Sequence, residues 1–289
     1  MKKVIPQFRK MIWGNWKLNE LFDITFELPV GEVWLVSGHP LIENRLSNDI
    51  TVNEFGRSVY GNKYPRFPIL IKLVSTNQWL SIQVHPDDDY AKNFENEPWG
   101  KAEAWYFLTD GEFAICTEVD KLKRIMQEDQ TKLSDCIADT MQFVKVKKGT
   151  IVYLPPGTVH ALGPNTSVIE VQQTSDLTYR IYDWGRGRDT HIEKAIKVIK
   201  HINLFDIIFE DTKKLVTDYF TIQVNSIRNI LQDNIKFPII AVKLNLDKEF
   251  CATIIEDKDF KYIDQGASPT TTQNILSMEE KMLFVHSFC

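Results

Sequence analysis

Closely spaced cysteines are missing from this sequence. Cys116, Cys136, Cys251 and Cys289 stand far apart, and no CxxC pair occurs. This spacing argues against a disulfide framework and against a zinc site built from cysteines. It predicts free thiols in a reducing cytosol.

Long apolar runs and an excess of positive charge are also missing. No segment approaches the roughly 20 apolar residues of a membrane span, and the N-terminus lacks the apolar core of a signal peptide. The formal net charge is −5, with Lys and Arg scattered along the chain. We therefore expect a cytoplasmic protein that binds neither membranes nor nucleic acid, with its oligomeric state left open. An anionic substrate would need a local basic pocket.

Short β-like segments punctuated by Gly and Pro dominate the 289 residues. Many short strands with few helices predict a mainly β fold of the sandwich or barrel type. We expect a first domain at residues 1–203 and a second, smaller β domain at 204–289. Residues 118–143 break the β pattern, because apolar residues recur there at helical spacing and predict two inserted amphipathic helices: Leu122, Ile125, Met126, Leu133, Ile137 and Met141.

The stretch "LSIQVHP", residues 80–86, combines an apolar and a polar face. If it is extended, Ser81, Gln83 and His85 point to one side, opposite the aliphatic residues. Glu103 in "GKAEAWY" and His160 in "GTIVYLPPGTVH" add a carboxylate and a second imidazole. Such a set of N and O donors suits Zn and also Mn, Fe, Co or Ni, so the ligands alone leave the metal open.

The segment "GTIVYLPPGTVH" resembles the second motif of the cupin superfamily, in which the histidine binds metal inside a small β-barrel. The Asn that follows in the family arrives one residue late here, at Asn165. Gln83 stands where the first cupin motif usually has a histidine. The resemblance therefore implies a cupin, or jelly-roll, barrel from an atypical branch.

Four blocks in order resemble the type I phosphomannose isomerases: "FPILIKLVSTNQWLSIQVHPDDDYA", "GKAEAWY", "PPGTVHALG" and "EVQQTSDLTYRIYDWGR". They span residues 67–186. Two departures are Asn15 in "WGNW", where a second Gly is usual, and a short β region after Leu204. The resemblance implies zinc-dependent interconversion of mannose 6-phosphate, a phosphorylated hexose, and fructose 6-phosphate through an enediol intermediate.

The resemblance also implies residue roles. One zinc per chain would be bound by Gln83, His85, Glu103 and His160. Ser81, Lys101 and Asp176 would bind the sugar phosphate. Arg180, Lys101 and Glu170 would be catalytic, with the identity of the general base left open.

Two further charged motifs have other interpretations. The acids of "HPDDDY" lack the spacing of an EF-hand and are expected to begin a helix. One interpretation of the loop "YDWGRGR" is that Arg186 and Arg188 hold a phosphate, but we expect this loop, with Asp183, to be a solvated turn.

Two alternatives to the isomerase remain open at this point. Two histidines and a carboxylate also form the facial triad of Fe(II) oxygenases, although Gln83 as a fourth ligand counts against that class. The other alternative is a sugar-phosphate-binding or regulatory metal cupin that retains the fold without turnover.

Overall fold

The computed structural model describes residues 1–230, 238–256 and 280–287. Its strands are β1 (Lys2–Ile5), β2 (Gln7–Lys10), β3 (Val30–Val36), β4 (Gly38–His39), β5 (Ile42–Glu43), β6 (Arg45–Leu46), β7 (Ile69–Ser75), β8 (Ile82–Val84), β9 (Glu103–Phe107), β10 (Gly111–Cys116), β11 (Met141–Val146), β12 (Ile151–Leu154), β13 (His160–Leu162), β14 (Ser167–Gln173), β15 (Tyr179–Tyr182), β16 (Ile208–Phe209), β17 (Lys214–Val216), β18 (Phe220–Ser226), β19 (Ile239–Lys243), β20 (Ala252–Ile255) and β21 (Lys281–Ser287).

Helices are fewer and mostly short. They are α1 (Trp16–Leu21), α2 (Val52–Tyr60), α3 (Asp88–Tyr90), α4 (Val119–Glu128), α5 (Leu133–Thr140), α6 (Ile192–Val198) and α7 (Ile227–Ile230), with a π-helix at Ala91–Glu95 and 3₁₀ turns at Gln130–Lys132 and Leu204–Asp206. The mainly β prediction is confirmed. In the part of the chain that the structure describes, no helix is both long and apolar enough to cross a membrane.

The chain divides into two compact units built from separate segments. The first comprises Met1–Gln7, Trp34–Ile71 and Thr212–Cys289, and the second comprises Phe8–Val33 and Lys72–Asp211. We call the second the site unit, because it carries all the predicted functional residues. The division into residues 1–203 and 204–289 stays a prediction.

Two sheets build the site unit. One has five strands in the order β11-β10-β13-β8-β15, and the other runs β16-β12-β9-β14-β7-β3-β2, with β3 and β7 contributing residues 30–33 and 72–75 to this unit. Trp105 and Phe107 from β9 share one buried cluster with Phe113 and Ile115 from β10. A core that draws on both sheets is what two sheets packed face to face produce, as in a jelly roll.

The predicted helical insertion is confirmed as α4 and α5. Leu122 and Met126 of α4, with Ile137 of α5, are buried in a cluster that also contains strand residues of the five-stranded sheet. Met141 is a correction: the helical spacing includes it, but it begins β11 and pairs with Cys116 of β10. Pairing with a neighbouring strand outweighs the local helical pattern there.

The first unit contains a seven-stranded sheet in the order β17-β18-β21-β19-β20-β1-β6. Its buried cluster includes Ile227, Ile239 and Phe284. Thr51 and Glu54 form a reciprocal capping box at the start of α2, which satisfies backbone donors that a helix start otherwise leaves open.

Among the described cysteines, Cys116, Cys136 and Cys251 are buried free thiols, as predicted. Cys289 lies outside the described residues. The acids of "HPDDDY" do begin a helix, and the Asp87 side chain caps α3 by accepting a hydrogen bond from the Tyr90 N–H. Here the sequence pattern and the local structure agree.

Candidate metal centre and active site

Three predicted site residues lie side by side across neighbouring strands. Gln83 of β8 is in register with His160 of β13 on one side and with Arg180 of β15 on the other. Residues directly opposite each other on paired strands project from the same face of a sheet. The strand pairing therefore brings these three side chains together, although 97 positions separate Gln83 from Arg180 in the sequence.

Glu103 and Glu170 come from the other sheet. Glu103 begins β9 and pairs with Gln172 of β14, while Glu170 pairs with Trp105. Because alternate residues of a strand share a face, Glu103, Gln172 and Glu170 project to the same side. The predicted site residues of the two sheets therefore meet in one cluster. In it, His160 Nε2 lies 3.1 Å from a carboxylate oxygen of Glu103.

Each histidine of the cluster is oriented by a backbone carbonyl. His85 Nδ1 lies 2.8 Å from the Leu177 carbonyl oxygen, and His160 Nδ1 lies 3.0 Å from that of Thr158. A carbonyl accepts hydrogen bonds only, so each Nδ1 must carry the proton when the ring is neutral. The unprotonated Nε2 atoms then face Glu103, which is the arrangement of metal-binding histidines.

The cluster is buried, and its charged neighbours shift the pKa values of its members. Burial and the neighbouring Lys101 ammonium lower the pKa of His85 to about 4. Burial opposes ionisation of Glu103, but Lys101 and His85 outweigh it and hold the pKa of this carboxyl well below its usual range. At neutral pH the cluster thus presents a carboxylate and a neutral imidazole, both competent to bind metal.

These residues fit a metal ion. His85, Glu103 and His160 can each offer one ligand atom, all within 4.8 Å of one another. Both carboxylate oxygens of Glu103 are buried without a hydrogen-bond donor in the described chain, although Lys101 is ion-paired to one of them. The amide nitrogen of Gln83 lies 3.5 Å from His160 Nε2, so this side chain reaches the cluster, and its role as a fourth ligand through the amide oxygen remains a prediction.

A cavity of about 270 Å³ opens beside the cluster. Gln83 and Lys101 line it and also contact the cluster, so we call them the floor of the cavity. Its volume is near the lower end of small-molecule sites, about 300 to 1,000 Å³. The other charged or hydroxyl residues that line it are Arg9, Glu32, Lys72, Ser81, Glu170, Asp176, Thr178, Arg180 and Arg188.

The residues predicted to bind substrate, Ser81, Lys101 and Asp176, all line this cavity, and so does Arg180, which is predicted to be catalytic. The Ser81 hydroxyl donates to the Gln83 side-chain oxygen at 3.1 Å, which confirms that the two residues share a face. Lys101 is buried at the floor, and its ammonium lies 2.6 Å from Glu103. Their roles toward substrate and metal remain predictions.

Arg180 lines the cavity with a guanidinium that is only partly hydrogen-bonded among the described residues. One guanidinium nitrogen donates to the Asp189 carbonyl at 2.7 Å, but its Nε is buried without a partner among the described residues. Burial and the nearby Arg188 lower the pKa of Arg180, because both disfavour its positive charge. An anion entering the cavity would relieve both conditions.

Lys72 is a cavity residue that the sequence interpretation missed. It lies within the apolar run of β7, 3% exposed, and its ammonium donates to Glu170 at 3.0 Å. Burial alone would lower its pKa, but the carboxylates of Glu170, Glu32 and Asp176 outweigh burial and raise it. A lysine inside a strand of otherwise apolar residues is the sequence signal that could have identified it, because such a charge is rarely buried unless paired.

Replacing Lys72 with methionine is expected to destabilise the protein by about 3 to 5 kcal/mol, because the buried Glu170 carboxylate would lose the ammonium that donates to it at 3.0 Å. The measurement is urea unfolding. The control is Lys147→Met, which breaks an exposed ion pair with Asp110 and should change stability by about 0 to 1 kcal/mol. Equal losses for the two variants would contradict the importance of the buried pair.

The sequence interpretation also missed Arg9. Its guanidinium lies 3.2 Å from Glu32 and 3.5 Å from Asp176, which ties a predicted substrate contact to β2 and β3. No motif in the sequence distinguishes it from the scattered surface arginines.

The loop after β15 is a correction. Asp183 is only 4% exposed and lies between the guanidinium groups of Arg186 and Arg188, so "YDWGRGR" is not simply a solvated turn. A buried carboxylate requires paired cations, which the two arginines supply.

Gly100 lets two backbone segments pack closely beside the site, because it has no Cβ. A Cβ at this position would lie 2.3 Å from the Pro86 carbonyl oxygen and 2.4 Å from the Asp87 carbonyl carbon. The following Lys101 N–H donates to that same Pro86 oxygen at 3.0 Å. The tight contact places Lys101 next to Pro86, which follows His85 just after β8, and Glu103 lies 3.6 Å from His85 Nε2.

Comparison with known proteins agrees with this geometry. The family model for the phosphomannose isomerase type I catalytic domain matches residues 1–123. A probable mannose-6-phosphate isomerase of Bacillus subtilis is 37% identical over 67% of this chain, and the match spans 66% of that relative's length, just under two thirds. A crystal structure of the mannose 6-phosphate isomerase from Bacillus subtilis is 30% identical, with a TM-score of 0.65 over 77% of this chain and 75% of that one.

A second solved structure is described as mannose 6-phosphate isomerase bound with zinc and yttrium. It is 15% identical, with a TM-score of 0.60 over 98% of this chain and 94% of that one, and it shows the shared fold. Two packed antiparallel sheets with a His-Glu-His cluster that could hold a metal ion define the fold as that of a cupin. Within that class, the chain belongs to the type I phosphomannose isomerase family. The predicted recognition and fold class are thereby confirmed.

Proposed function

We propose that this protein interconverts mannose 6-phosphate and fructose 6-phosphate as a metal-dependent aldose–ketose isomerase. The observation that carries the proposal is the row formed by His160, Gln83 and Arg180, which joins metal-type ligands and an arginine at one cavity. Family membership and the relatives named mannose-6-phosphate isomerase support the same reaction.

The proposed cofactor is one zinc ion per chain, held by Gln83, His85, Glu103 and His160. Two imidazoles, a carboxylate and an amide oxygen fit zinc, and a structural neighbour is bound with zinc. Zinc would supply Lewis-acid stabilisation of negative charge on a sugar oxygen.

The isomerisation opens the sugar ring and then moves a proton between C2 and C1 through an enediol. Lys101 and Glu170 are the proposed catalytic carriers of protons, and Asp176 is a further candidate for the base. Lys101 lies 3.7 Å from Glu170 and 2.6 Å from Glu103, so these groups form one buried ionic network. A positioned acid or base of this kind contributes about 10² to 10⁴ in rate.

Substrate binding is assigned to Ser81, Lys101 and Asp176, with Arg180 stabilising developing oxyanion charge. The cavity supplies the local basic surface that an anionic substrate needs in a protein of net negative charge. Lys101 would contact the phosphate only if the phosphate reached the floor, where Lys101 lies against Glu103.

We also propose that residues 1–203 form the catalytic domain, since all of these residues precede position 203. We propose a cytoplasmic location as well. The buried free thiols Cys116, Cys136 and Cys251 support it, since oxidising compartments favour disulfides.

The test is a coupled assay for fructose 6-phosphate formed from mannose 6-phosphate. It is run on the purified protein, after chelation, and after zinc is restored. We expect activity to disappear with chelation and to return with zinc. No product from fully zinc-loaded protein that still binds mannose 6-phosphate would overturn the isomerase and favour the non-catalytic binding cupin.

A further inference from the structure

The loop Asp183–Arg188 contains an unfavourable backbone conformation. Trp184 has φ of 55°, and the glycines on either side of Arg186 have φ of 73° and 75°. Glycine adopts positive φ readily, but a residue with a bulky side chain does so only at an energetic cost. Such a conformation persists only where surrounding contacts enforce it, so the contacts of Trp184 are informative.

Two side chains of this loop hold the segment just before Ser81. The Trp184 indole N–H donates to the Leu80 carbonyl at 2.6 Å, and an Arg186 guanidinium nitrogen donates to the Trp79 carbonyl at 2.9 Å. Leu80 and Ser81 line the cavity. The loop is thus attached to the cavity wall at two consecutive carbonyls, and we call it the clamp loop.

Asp183 is the buried centre of the clamp loop. Its carboxylate accepts from Arg186 at 2.7 Å and from Arg188 Nε at 2.8 Å, while its own carbonyl accepts from Arg186 Nε at 3.0 Å. Arg188 lines the cavity, as Ser81 does. One carboxylate therefore orients a guanidinium at the cavity and a second guanidinium at the edge of the cavity that carries Ser81, just before β8.

We propose that Asp183 is a positioning residue for phosphate recognition, which it serves by holding Arg188 at the cavity wall and, through Arg186, fixing the edge that carries Ser81. This rests on the proposed function and makes it more specific: the phosphate end of the substrate meets the wall formed by Ser81 and Arg188. The sugar carbons then face the floor, where Gln83 and Lys101 adjoin the metal cluster. A guanidinium suits this role because it donates two parallel hydrogen bonds to phosphate oxygens.

The test compares Asp183→Asn and Arg188→Gln with Asp139→Asn, which makes the same chemical change as the first in an exposed ion pair with Lys121. For the first two variants we expect KM for mannose 6-phosphate, and Ki for inorganic phosphate as a competitor, to rise about 10- to 100-fold, the loss expected for a charge-assisted hydrogen bond. We expect kcat and zinc content to stay within about twofold of the wild type, because a positioning residue leaves the chemical step intact.

Arg188→Gln keeps Arg186 on Asp183, so it tests recognition even if Asp183→Asn folds poorly. The proposal is overturned if Arg188→Gln has the KM and phosphate Ki of the wild type, or if the loss falls on kcat alone. A wild type that forms no product would instead defeat the proposed function. The proposal for the clamp loop is then tested by calorimetry on zinc-loaded protein. Weaker binding of mannose 6-phosphate by Arg188→Gln supports the proposal, and unchanged binding overturns it.

Discussion

Replacing His160 with alanine is expected to abolish isomerisation together with metal binding. His160 Nε2 lies 3.1 Å from Glu103 and 3.5 Å from the Gln83 amide, so its removal takes one of two nitrogen donors from the centre of the cluster. Loss of an outer hydrogen-bond partner typically costs about 10- to 100-fold in metal affinity, and loss of a ligand should cost more than 100-fold. Metal content after dialysis against a zinc buffer and the coupled assay measure the two effects.

The matched control is His201→Ala, because His201 is an exposed histidine paired with Asp120 outside the cavity. It should keep full zinc content and activity. If His160→Ala retained zinc as tightly as this control, the assignment of the His-Glu-His cluster as the metal centre would be wrong. Retention of zinc with loss of activity would instead give His160 a role in the chemistry itself.

Replacing Arg180 with glutamine is expected to lower kcat about 10²- to 10³-fold while zinc content is unchanged, as for loss of a preorganised donor to a developing oxyanion. Arg180 lies in register with Gln83 rather than among the cluster's own ligands, and its Nε is buried without a partner in the described chain. Glutamine keeps a polar side chain but removes the positive charge. Steady-state kinetics and metal analysis of the same preparation separate the two effects.

Arg124→Gln in the exposed face of α4 is the control for the charge change. Its kcat and KM should match the wild type. An Arg180→Gln enzyme with normal kcat and a raised KM would show that Arg180 binds substrate without stabilising the transition state. That outcome would move the catalytic role toward Lys101 and Glu170.

Much of the candidate site can be predicted from local sequence patterns, above all from the two-residue alternation of strands. The two-residue alternation of "LSIQVHP" correctly places Ser81 and Gln83 on one face, as their hydrogen bond confirms. The cupin-like segment ending at His160 correctly identifies a buried histidine at the start of a strand. Local pattern succeeds here because strand geometry alone decides which side chains share a face.

The local sequence pattern could not predict the roles of other site residues. Lys72 reads as one charge in an apolar strand, Arg9 as a scattered cation, and Asp183 as part of a turn. Their importance comes from partners far away in the chain: Glu170 for Lys72 and Asp176 for Arg9. Spacing along one strand carries no information about which strand will lie beside it.

The sequence by itself therefore determined the mainly β class, the helical insertion, the family and the polar face of the Gln83 strand. The tertiary structure alone decided that Met141 belongs to a strand, that Lys72 and Asp183 are buried in ion pairs, and that Arg180 lies beside Gln83. The reason is physical: periodicity and propensity act over a few residues, whereas burial of charge and strand register depend on residues brought together by the whole fold.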